Sequence, residues 1–405
     1  MLALQRVSSV NASPHESCSV NFLFVANTPR DPLAGASGCD ISVIEALRQQ
    51  GHFVDEVWAD DMPRKITHPN LHQLMELPKN FADVVGKQCA SKTYDVIQVN
   101  QPHAWLAAKR HRQLKRPGVF VNRSHGWEPA LRKAVARYGS PSTDTRPLHR
   151  KVLTRVLAIP LERHNKLVVD WSDGVVLCSI DDYDYILQEY GTAKEKLLPL
   201  APGIDPFFLE SLPDVADESR WNRMIYVGNF CPPKAPEVVA DVFRRVANAC
   251  PAFEGTWVCP EQFHSNVRSL LGPIATERVK CRDWMPKAQL RELFDSHGIL
   301  LFPSYFEGFA LTFLQAMARG LCVLGTTVDG MRQAIRDGCN GFLFERGDGE
   351  GIAARAILLM NSSTITRNLS VEARLTAEAY TWKKAATAFA EFSENLVRSK
   401  SGEFS

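Results

Sequence analysis

The chain has 405 residues, which at the usual domain size corresponds to two or three domains. Apolar residues make up 45% and charged residues 23%, as in soluble globular proteins, and a net charge of +2 excludes a strongly basic or acidic protein overall. No apolar run is long enough for a membrane-spanning helix, and residues 1–18 lack the apolar core of a secretory signal. We therefore expect a cytoplasmic protein with a loose N-terminal extension over residues 1–18.

Charge and cysteine placement narrow the choice of partners. Residues 109–166 hold 15 Lys and Arg against three acidic residues, so this block carries +12 and the remainder of the chain −10. Such a block favours an anionic partner, either phosphate groups or an anionic membrane surface, and no nucleic-acid motif accompanies it. The ten cysteines form no CxxC pair and lie partly in apolar runs, which indicates reduced thiols rather than a metal site.

The first half of the chain alternates apolar strands with helical segments. VNFLFVA (20–26) is followed by the glycine-bearing loop 27–39 and by a helix in DISVIEALRQQG, which Asp40 is expected to cap. Further strands are predicted in the segments FVDEVW (53–58), DVIQVN (95–100), GVFVNRS (118–124) and GVVLCS (174–179). Continuous apolar strands that alternate with helices predict a parallel sheet covered on both faces.

The same alternation starts again near residue 221. Strands are predicted at MIYVGN (224–229), GTWVC (255–259), RVKC (278–281), ILLFPS (299–304), LCVLGT (321–326) and GFLF (341–344), with helices at 235–250, 287–298 and 311–320. The sequence therefore predicts two doubly wound, Rossmann-like α/β domains facing a central cleft, where ligands bind at the carboxyl ends of the strands. The expected boundaries are a first domain over 19–208, a linker over 209–222, a second domain over 223–380, and a C-terminal helix and tail over 381–405.

One stretch of the second half, residues 302–344, carries the clearest chemical signal. Glu307 follows a buried strand, and Gly308 would let the backbone approach a ligand closely. The N–H groups of Phe309, Ala310 and Leu311 would open the next helix, and a helix N-terminus is suited to binding a diphosphate. Gln315, about one turn into that helix, could face the same cleft.

These residues resemble the signature of the retaining glycosyltransferases of family 4, also called group 1 glycosyltransferases. The family's Glu-x7-Glu signature stands here as Glu307-GFALTFL-Gln315, followed by AMARGLCVL. LPLAPGIDPFF (198–208) is similar to the family's hinge segment and MIYVGNFCPPKAPEVVADVF (224–243) to its strand-loop-helix motif. PLAGASG (32–38) and SHGWE (124–128) resemble its first loop and its histidine motif. The resemblance implies the GT-B fold, with a final helix that begins near Trp382 and crosses back to the first domain.

The resemblance also implies roles for individual residues. Lys234 would contact the donor diphosphate, with Gly35 and Ala36 lining the phosphates from the opposite side. Glu307 would bind sugar hydroxyls, and His125 would face the transferred sugar. Further donor contacts are predicted at three places: the ribose position Gln315, the loop residues Trp284 and Met285 near the base, and Asn229, where the family often has an arginine.

Two departures keep alternatives open. Gln315 replaces the second glutamate of the signature, and Asn229 leaves one positive charge fewer at the diphosphate. A non-catalytic paralogue that acts as a partner subunit would explain both, and a nucleotide-sugar epimerase or hydrolase of the same fold is a further possibility. The favoured interpretation is a glycosyltransferase that moves a sugar from a nucleotide-sugar co-substrate to a glycan, lipid-linked or phosphorylated acceptor.

The expected mechanism needs no metal and no further cofactor. Lys234 and helix N–H groups could stabilise the departing diphosphate, and no DxD-like acid pair stands beside Glu307. Asp181 and Asp182 are instead interpreted as N-cap residues of a helix. Retention of anomeric configuration follows from the resemblance alone. The first domain is expected to bind the acceptor, and its basic block to hold the protein at the inner face of an anionic membrane.

Overall fold

The computed structural model describes residues 19–32, 34–139, 148–214 and 218–402. These residues form two parallel six-stranded sheets with helices packed on them, so the predicted two-domain α/β architecture is confirmed. The expected extension over residues 1–18 lies outside the described residues.

The first sheet has the strand order β2-β1-β3-β4-β5-β6. Its strands are β1 (Asn21–Val25), β2 (Phe53–Val57), β3 (Val96–Asn100), β4 (Val119–Ser124), β5 (Gly174–Leu177) and β6 (Leu197–Pro199). The helices between and after them are α1 (Gly35–Gln49), α2 (Pro69–Leu71), α3 (Leu77–Ser91), α4 (Trp105–Gln113), α5 (Glu128–Tyr138), α6 (Leu148–Trp171) and α7 (Ile180–Tyr190). Strand order reverses between β1 and β3, and this switch point opens a crevice at the carboxyl edge of the sheet.

The second sheet repeats the arrangement with the order β12-β11-β10-β7-β8-β9. Its strands are β7 (Arg223–Val227), β8 (Glu254–Val258), β9 (Val279–Arg282), β10 (Ile299–Phe302), β11 (Cys322–Thr326) and β12 (Phe342–Phe344). Its helices are α8 (Pro236–Ala249), α9 (His264–Arg278), α10 (Lys287–Ser296), α11 (Leu311–Ala318), α12 (Asp329–Ala334), α13 (Gly349–Met360) and α14 (Ser363–Glu378). Here the switch point lies between β7 and β10, so the loops after these two strands face each other.

Each sheet buries an apolar cluster on both faces. In the second domain, one cluster packs α8 against the sheet through Val238, Val239, Val242 and Val246, as their helical spacing predicted. The other packs α11 against the opposite face through Phe313, Leu314 and Met317. Because both faces are covered, the loops at the sheet edges are the parts left to form a site.

The final helix, α15 (Trp382–Gly402), returns to the first domain. Phe389 packs against the rings of Phe22 and Phe24 on β1, with centroids 5.6 and 5.9 Å apart. The two chain crossings between the domains lie side by side, because the Ile204 N–H donates to the Tyr380 carbonyl at 2.9 Å. Gly203 permits this close approach, since a Cβ atom there would lie 2.2 Å from the backbone nitrogen of Trp382.

A buried arginine fixes the start of the predicted linker to the second domain. Arg319 has no exposed side-chain surface and forms two charge-assisted bonds to Asp295, at 2.6 and 2.9 Å. It also donates to the carbonyls of Phe208, Glu210 and Ser211 at 2.6 to 3.1 Å. These bonds hold the segment after β6 in one conformation as it enters the second domain.

Two local predictions are wrong. Asp40 does not cap α1, because the helix begins at Gly35 and Asp40 is buried within it at 1% exposure. Asp181 and Asp182 do not cap α7, because the Ser179 hydroxyl accepts the Asp182 N–H at 3.1 Å. In both cases a side chain with a partner elsewhere in the fold was interpreted as a local cap.

Candidate active site

An ion pair occupies the switch point of the second sheet. Lys234 lies in the loop after β7 and Glu307 in the loop after β10, and the Lys234 ammonium contacts the Glu307 oxygens at 2.5 and 2.7 Å. The Ser304 hydroxyl donates to the same carboxylate at 2.6 Å. With side-chain exposures of 21% and 9%, both partners face a largely enclosed space. The structure therefore brings together two residues that lie 73 positions apart in the sequence.

The start of helix α11, four residues after Glu307, has no side-chain cap from its N-cap residue. Helix α11 begins at Leu311, and its N-cap residue Ala310 offers no side-chain hydrogen bond to the first N–H groups. The first turn of a helix carries partial positive charge, which favours an anion. The Lys234 ammonium and the start of α11 thus supply positive potential on the same side of the cleft.

A second polar cluster surrounds His125 at the carboxyl edge of the first sheet. The His125 Nε2–H donates to the Asp40 carboxylate at 3.1 Å, and the Asn100 amide donates to the same oxygen at 2.5 Å. The Arg123 guanidinium lies 3.4 Å from the other Asp40 oxygen. The second ring nitrogen of His125 lies 3.8 Å from the Cys178 sulfur. Both nitrogens of the ring therefore have partners, and the ring is held in one orientation.

The electrostatics of this cluster favour the charged forms of both central groups. Burial lowers the pKa of His125, but the carboxylate of Asp40 outweighs it, and the pKa is raised to about 9. Burial raises the pKa of Asp40, yet His125 and Arg123 together hold it below its ordinary value. At neutral pH His125 is therefore an imidazolium, which cannot accept a proton. The residue can orient a substrate and contribute charge rather than act as a base.

The two clusters meet across the cleft. A Cβ atom on Gly308 would lie 2.4 Å from the His125 carbonyl oxygen, so the loop after β10 touches the loop after β4. At the rim, the ring of Tyr138 stacks on Tyr305 with centroids 6.0 Å apart. Arg332 on α12 pairs with Asp181 on α7. The domains thus face each other with His125 and Glu307 on opposite walls.

Three further predicted donor residues line a cleft of about 660 Å³ between the domains. Gly35 lies at the start of α1, and Leu311 and Gln315 lie on α11. The volume falls within the range of ligand pockets that hold drug-sized molecules. Gln315 lines this space, whereas Lys234, Glu307 and His125 are not among its described lining residues.

The other predicted donor residues do not belong to the described lining of this cleft. Ala36 belongs to the first turn of α1 rather than to a loop, and Asn229 is exposed after β7. Trp284 is 49% exposed and Met285 half-buried in the loop after β9, the edge strand of the sheet.

The Phe309 ring packs within the second domain, against Phe313 and Tyr380, with centroids 5.3 and 5.8 Å apart. Phe309 therefore offers its backbone rather than its ring.

Several residues of the site were missed from the sequence. Asp40, Asn100 and Arg123 surround His125, and Ser304 supports Glu307. The sequence could have identified Asn100 and Arg123 as site candidates, because each is a polar residue near the carboxyl end of an otherwise apolar strand. Over the described ranges there is no cluster of three or more His, Cys, Asp and Glu side chains placed to hold a metal ion.

The two Rossmann-like domains facing one cleft match the GT-B fold of glycosyltransferases, and this chain places a Lys–Glu pair and an imidazolium at that cleft. The sequence model of the family described as "Glycosyl transferases group 1" matches residues 222–362, most of the second domain. The predicted resemblance to this family is confirmed.

Relatives and solved structures agree over nearly the whole chain. A D-inositol 3-phosphate glycosyltransferase of Streptomyces griseus is 21% identical over 401 residues, covering 88% of this chain and 84% of the relative. Sucrose-phosphate synthase of Thermosynechococcus elongatus has a TM-score of 0.72 at 18% identity, with 94% of this chain and 100% of that chain covered. Anabaena HepE in complex with UDP has a TM-score of 0.65 at 16% identity, with 92% and 98% covered.

Of the helices in the described ranges, none combines the length and the apolarity that a membrane span requires.

Proposed function

We propose that the protein transfers a sugar, with retention and without a metal ion, from a nucleotide-sugar donor to a phosphorylated or lipid-linked acceptor. The observation that carries the proposal is the Lys234–Glu307 pair, which faces His125 across the cleft. Cytoplasmic location and peripheral binding to an anionic membrane are part of the same proposal.

The donor half of the proposal depends on charge. When the bond between sugar and diphosphate breaks, negative charge develops on the diphosphate and positive charge on the sugar. Lys234 and the uncapped start of α11 are placed to stabilise the negative charge on the diphosphate. The Glu307 carboxylate is placed to bind the sugar hydroxyls. Both positive groups belong to the protein, which supports a reaction without a metal ion. Anabaena HepE, a neighbour of the same fold, was solved with UDP.

The acceptor half depends on the first domain. The relatives that match this chain are named D-inositol 3-phosphate glycosyltransferases, a name that specifies a phosphorylated polyol as acceptor. The imidazolium of His125 lies on the acceptor side of the cleft, where positive charge would favour a phosphorylated substrate. Retention is proposed from the family resemblance.

An exposed apolar stripe on α6 supports the membrane part of the proposal. Val152, Val156 and Ile159 lie on successive turns and are 52%, 62% and 68% exposed. Helix α6 has 24 residues and is about 36 Å long. Its C-terminal end leads into the start of β5, so its N-terminal half, which carries these three residues, lies toward the carboxyl edge of the sheet. Exposed Arg163 and Lys166 continue the same helix. Apolar residues flanked by cations are typical of helices that bind anionic lipid. Residues 140–147 of the basic block lie outside the described residues.

The decisive experiment measures nucleotide release. The purified protein is incubated with UDP-, GDP-, ADP-, TDP- and CDP-sugars, with and without D-inositol 3-phosphate as the probe acceptor. We expect release that depends on the acceptor and falls at least a hundredfold in Lys234→Ala, since one charge at the leaving group is lost. Lys280→Ala removes an exposed lysine of the same domain and should keep wild-type activity.

Each alternative has its own outcome in this assay. Equal release without an acceptor would indicate a hydrolase, and conversion of the donor to an epimer with the nucleotide still attached would indicate an epimerase. Release from none of the donors, with or without the acceptor, would favour a non-catalytic subunit. The product's anomeric configuration, measured by NMR, decides whether the transfer retains or inverts.

The membrane part is tested separately by flotation with phosphatidylglycerol vesicles at low salt. A Val156→Glu/Ile159→Glu variant should lose binding, whereas Leu358→Glu changes an exposed leucine of the second domain and should not. Equal flotation of the two variants would contradict the role of α6.

A further inference from the structure

A second pocket lies on the first domain, away from the cleft between the domains. It has a volume of about 610 Å³, and its floor is formed by Gly118 and Val119 at the start of β4. Leu396 and Val397 of α15 form an apolar wall. His125 follows the other end of β4, so a strand of six residues, roughly 20 Å, separates the pocket from the candidate active site. The pocket therefore cannot be an extension of that site.

The pocket is strongly cationic. Its described lining contains five cationic side chains and one carboxylate, that of Asp173: the cations are Arg112, Lys115, Arg116, Lys196 and Lys400. Asp173 is already engaged, because it pairs with Lys400 at 3.0 Å and accepts the Phe120 N–H at 2.8 Å.

Uncompensated cations in one pocket repel each other. Burial lowers the pKa of the Lys196 ammonium, and the like charge of Arg112 lowers it further. Among the described residues Lys115, Arg116 and Lys196 have no ion pair with a carboxylate, and the attraction of Asp173 and Asp170 offsets the repulsion at Lys196 only in part, since its pKa stays lowered. An anion placed between these groups would relieve it and would form charge-assisted hydrogen bonds.

The shape and the lining limit the class of anion. About 610 Å³ is enough for a small organic molecule and far more than one phosphate needs. The apolar wall from α15 would cover a carbon-containing part of the ligand, and the Arg and Lys groups suit phosphate oxygens. A phosphate ester or diphosphate fits both features. It could come from a soluble metabolite or from a lipid headgroup.

We propose that this pocket is a second ligand site, which binds a phosphate-bearing molecule and ties α15 to the first domain. Lys400 belongs to α15, whereas Arg116 and Lys196 belong to the first domain, so one ligand would contact both. Because α15 also begins at the crossing between the domains, the ligand would stabilise the helix that connects them. This inference does not depend on the proposed function.

The test uses the full chain and a readout that is local to the pocket. Hydrogen exchange is measured over residues 394–402 with inorganic pyrophosphate as the probe. The pyrophosphate concentration is set to about ten times its dissociation constant. Local opening of residues 394–402 that releases the ligand then becomes about tenfold rarer, so their hydrogen exchange should slow about tenfold. Arg116→Ser and Lys196→Ser should each weaken binding on the order of tenfold.

Two controls keep the result specific. Lys194→Ser removes an exposed lysine from the same turn as Lys196, outside the pocket, and should leave the protection unchanged. Lys234→Ala removes a cation of the other phosphate-binding region, so protection of α15 should persist in it.

A second arm replaces pyrophosphate with phosphatidylglycerol vesicles. Protection by pyrophosphate that is lost in the two pocket variants supports a soluble ligand. Protection by vesicles alone, lost in the same variants, supports a lipid headgroup. The proposal is overturned if neither probe slows exchange over 394–402, or if Lys194→Ser abolishes the effect as fully as Lys196→Ser does.

Discussion

The buried pair of His125 and Asp40 leads to a quantitative prediction of pH dependence. The pKa of His125 rises from 6.5 to about 9 in the folded protein, chiefly because the Asp40 carboxylate opposes the effect of burial. Each pKa unit corresponds to about 1.4 kcal/mol, so the protonated ring stabilises the fold by about 3 kcal/mol. The side chain is 11% exposed, and solvent screening is therefore weak.

The sign follows from the direction of the shift. A group whose pKa is raised on folding binds its proton more tightly in the folded state, so its contribution is complete below pH 6.5 and is lost as the pH rises through about 9. The variant His125→Gln removes this titration and leaves the Asp40–Arg123 contact of 3.4 Å in place. The free-energy difference between wild type and variant should therefore shrink by about 3 kcal/mol between pH 6 and pH 10.

Two measurements check this reasoning. Urea unfolding of both proteins from pH 6 to pH 10 gives the difference, and thiols and tyrosines that ionise in this range cancel because both proteins contain them. NMR titration of the His125 ring gives its pKa directly. In Asp40→Asn only the contact with Cys178 still opposes the effect of burial, so the pKa of His125 should fall well below 9. A wild-type ring that titrates near 6.5, or a free-energy difference that does not vary with pH, would refute the argument.

Three further substitutions test other contacts. Gly308→Ala should lower transferase turnover at least about tenfold, because its Cβ would lie 2.4 Å from the His125 carbonyl oxygen, whereas Gly86→Ala meets only ordinary contacts and should leave steady-state kinetics unchanged. Arg319→Met should lower the free energy of unfolding by about 3–5 kcal/mol in urea titrations, since it removes the donors to three backbone carbonyls and the partner of the partly exposed Asp295 carboxylate. Burial raises the pKa of Asp182 to about 7, so Asp182→Asn should stabilise the protein by about 2–4 kcal/mol at pH 9, and the gain should vanish by pH 4.

The architecture was predictable because its signal is local. Apolar runs that alternate with helical segments specify parallel strands covered on both faces, and α8 shows the same agreement at the level of single residues, since its four valines are buried as their spacing required. The Lys234–Glu307 pair was predictable as two separate loop residues, each placed after a buried strand. Their direct contact was not, since it depends on β7 and β10 being neighbours in the sheet.

The environment of His125 was beyond reach of the sequence for a physical reason. Its partners lie on α1, β3 and the residue after β5, separated from it by 85, 25 and 53 positions. Asp40 was assigned to a helix cap because a local rule accounts for an aspartate near the start of a helix. The rule fails here because the helix begins five residues earlier, at Gly35, and Asp40 is buried within it beside Arg123 and His125. Asp182 was also assigned to a cap, but Ser179 caps that helix and the Asp182 carboxylate accepts the Trp127 N–H at 3.1 Å.

The arrangement at Lys234 bears on how a diphosphate would be held. An ammonium has three N–H groups, and two of those on Lys234 point to the Glu307 oxygens, so the pair is close to neutral before a donor arrives. Asn229 adds no charge where the family often has an arginine. A diphosphate would therefore be held by the first N–H groups of α11 as well as by Lys234, and these N–H groups need no side chain and are unaffected by the departures at Asn229 and Gln315. On this reasoning the two substitutions that favoured an inactive paralogue are compatible with catalysis, because the backbone supplies what those side chains do not.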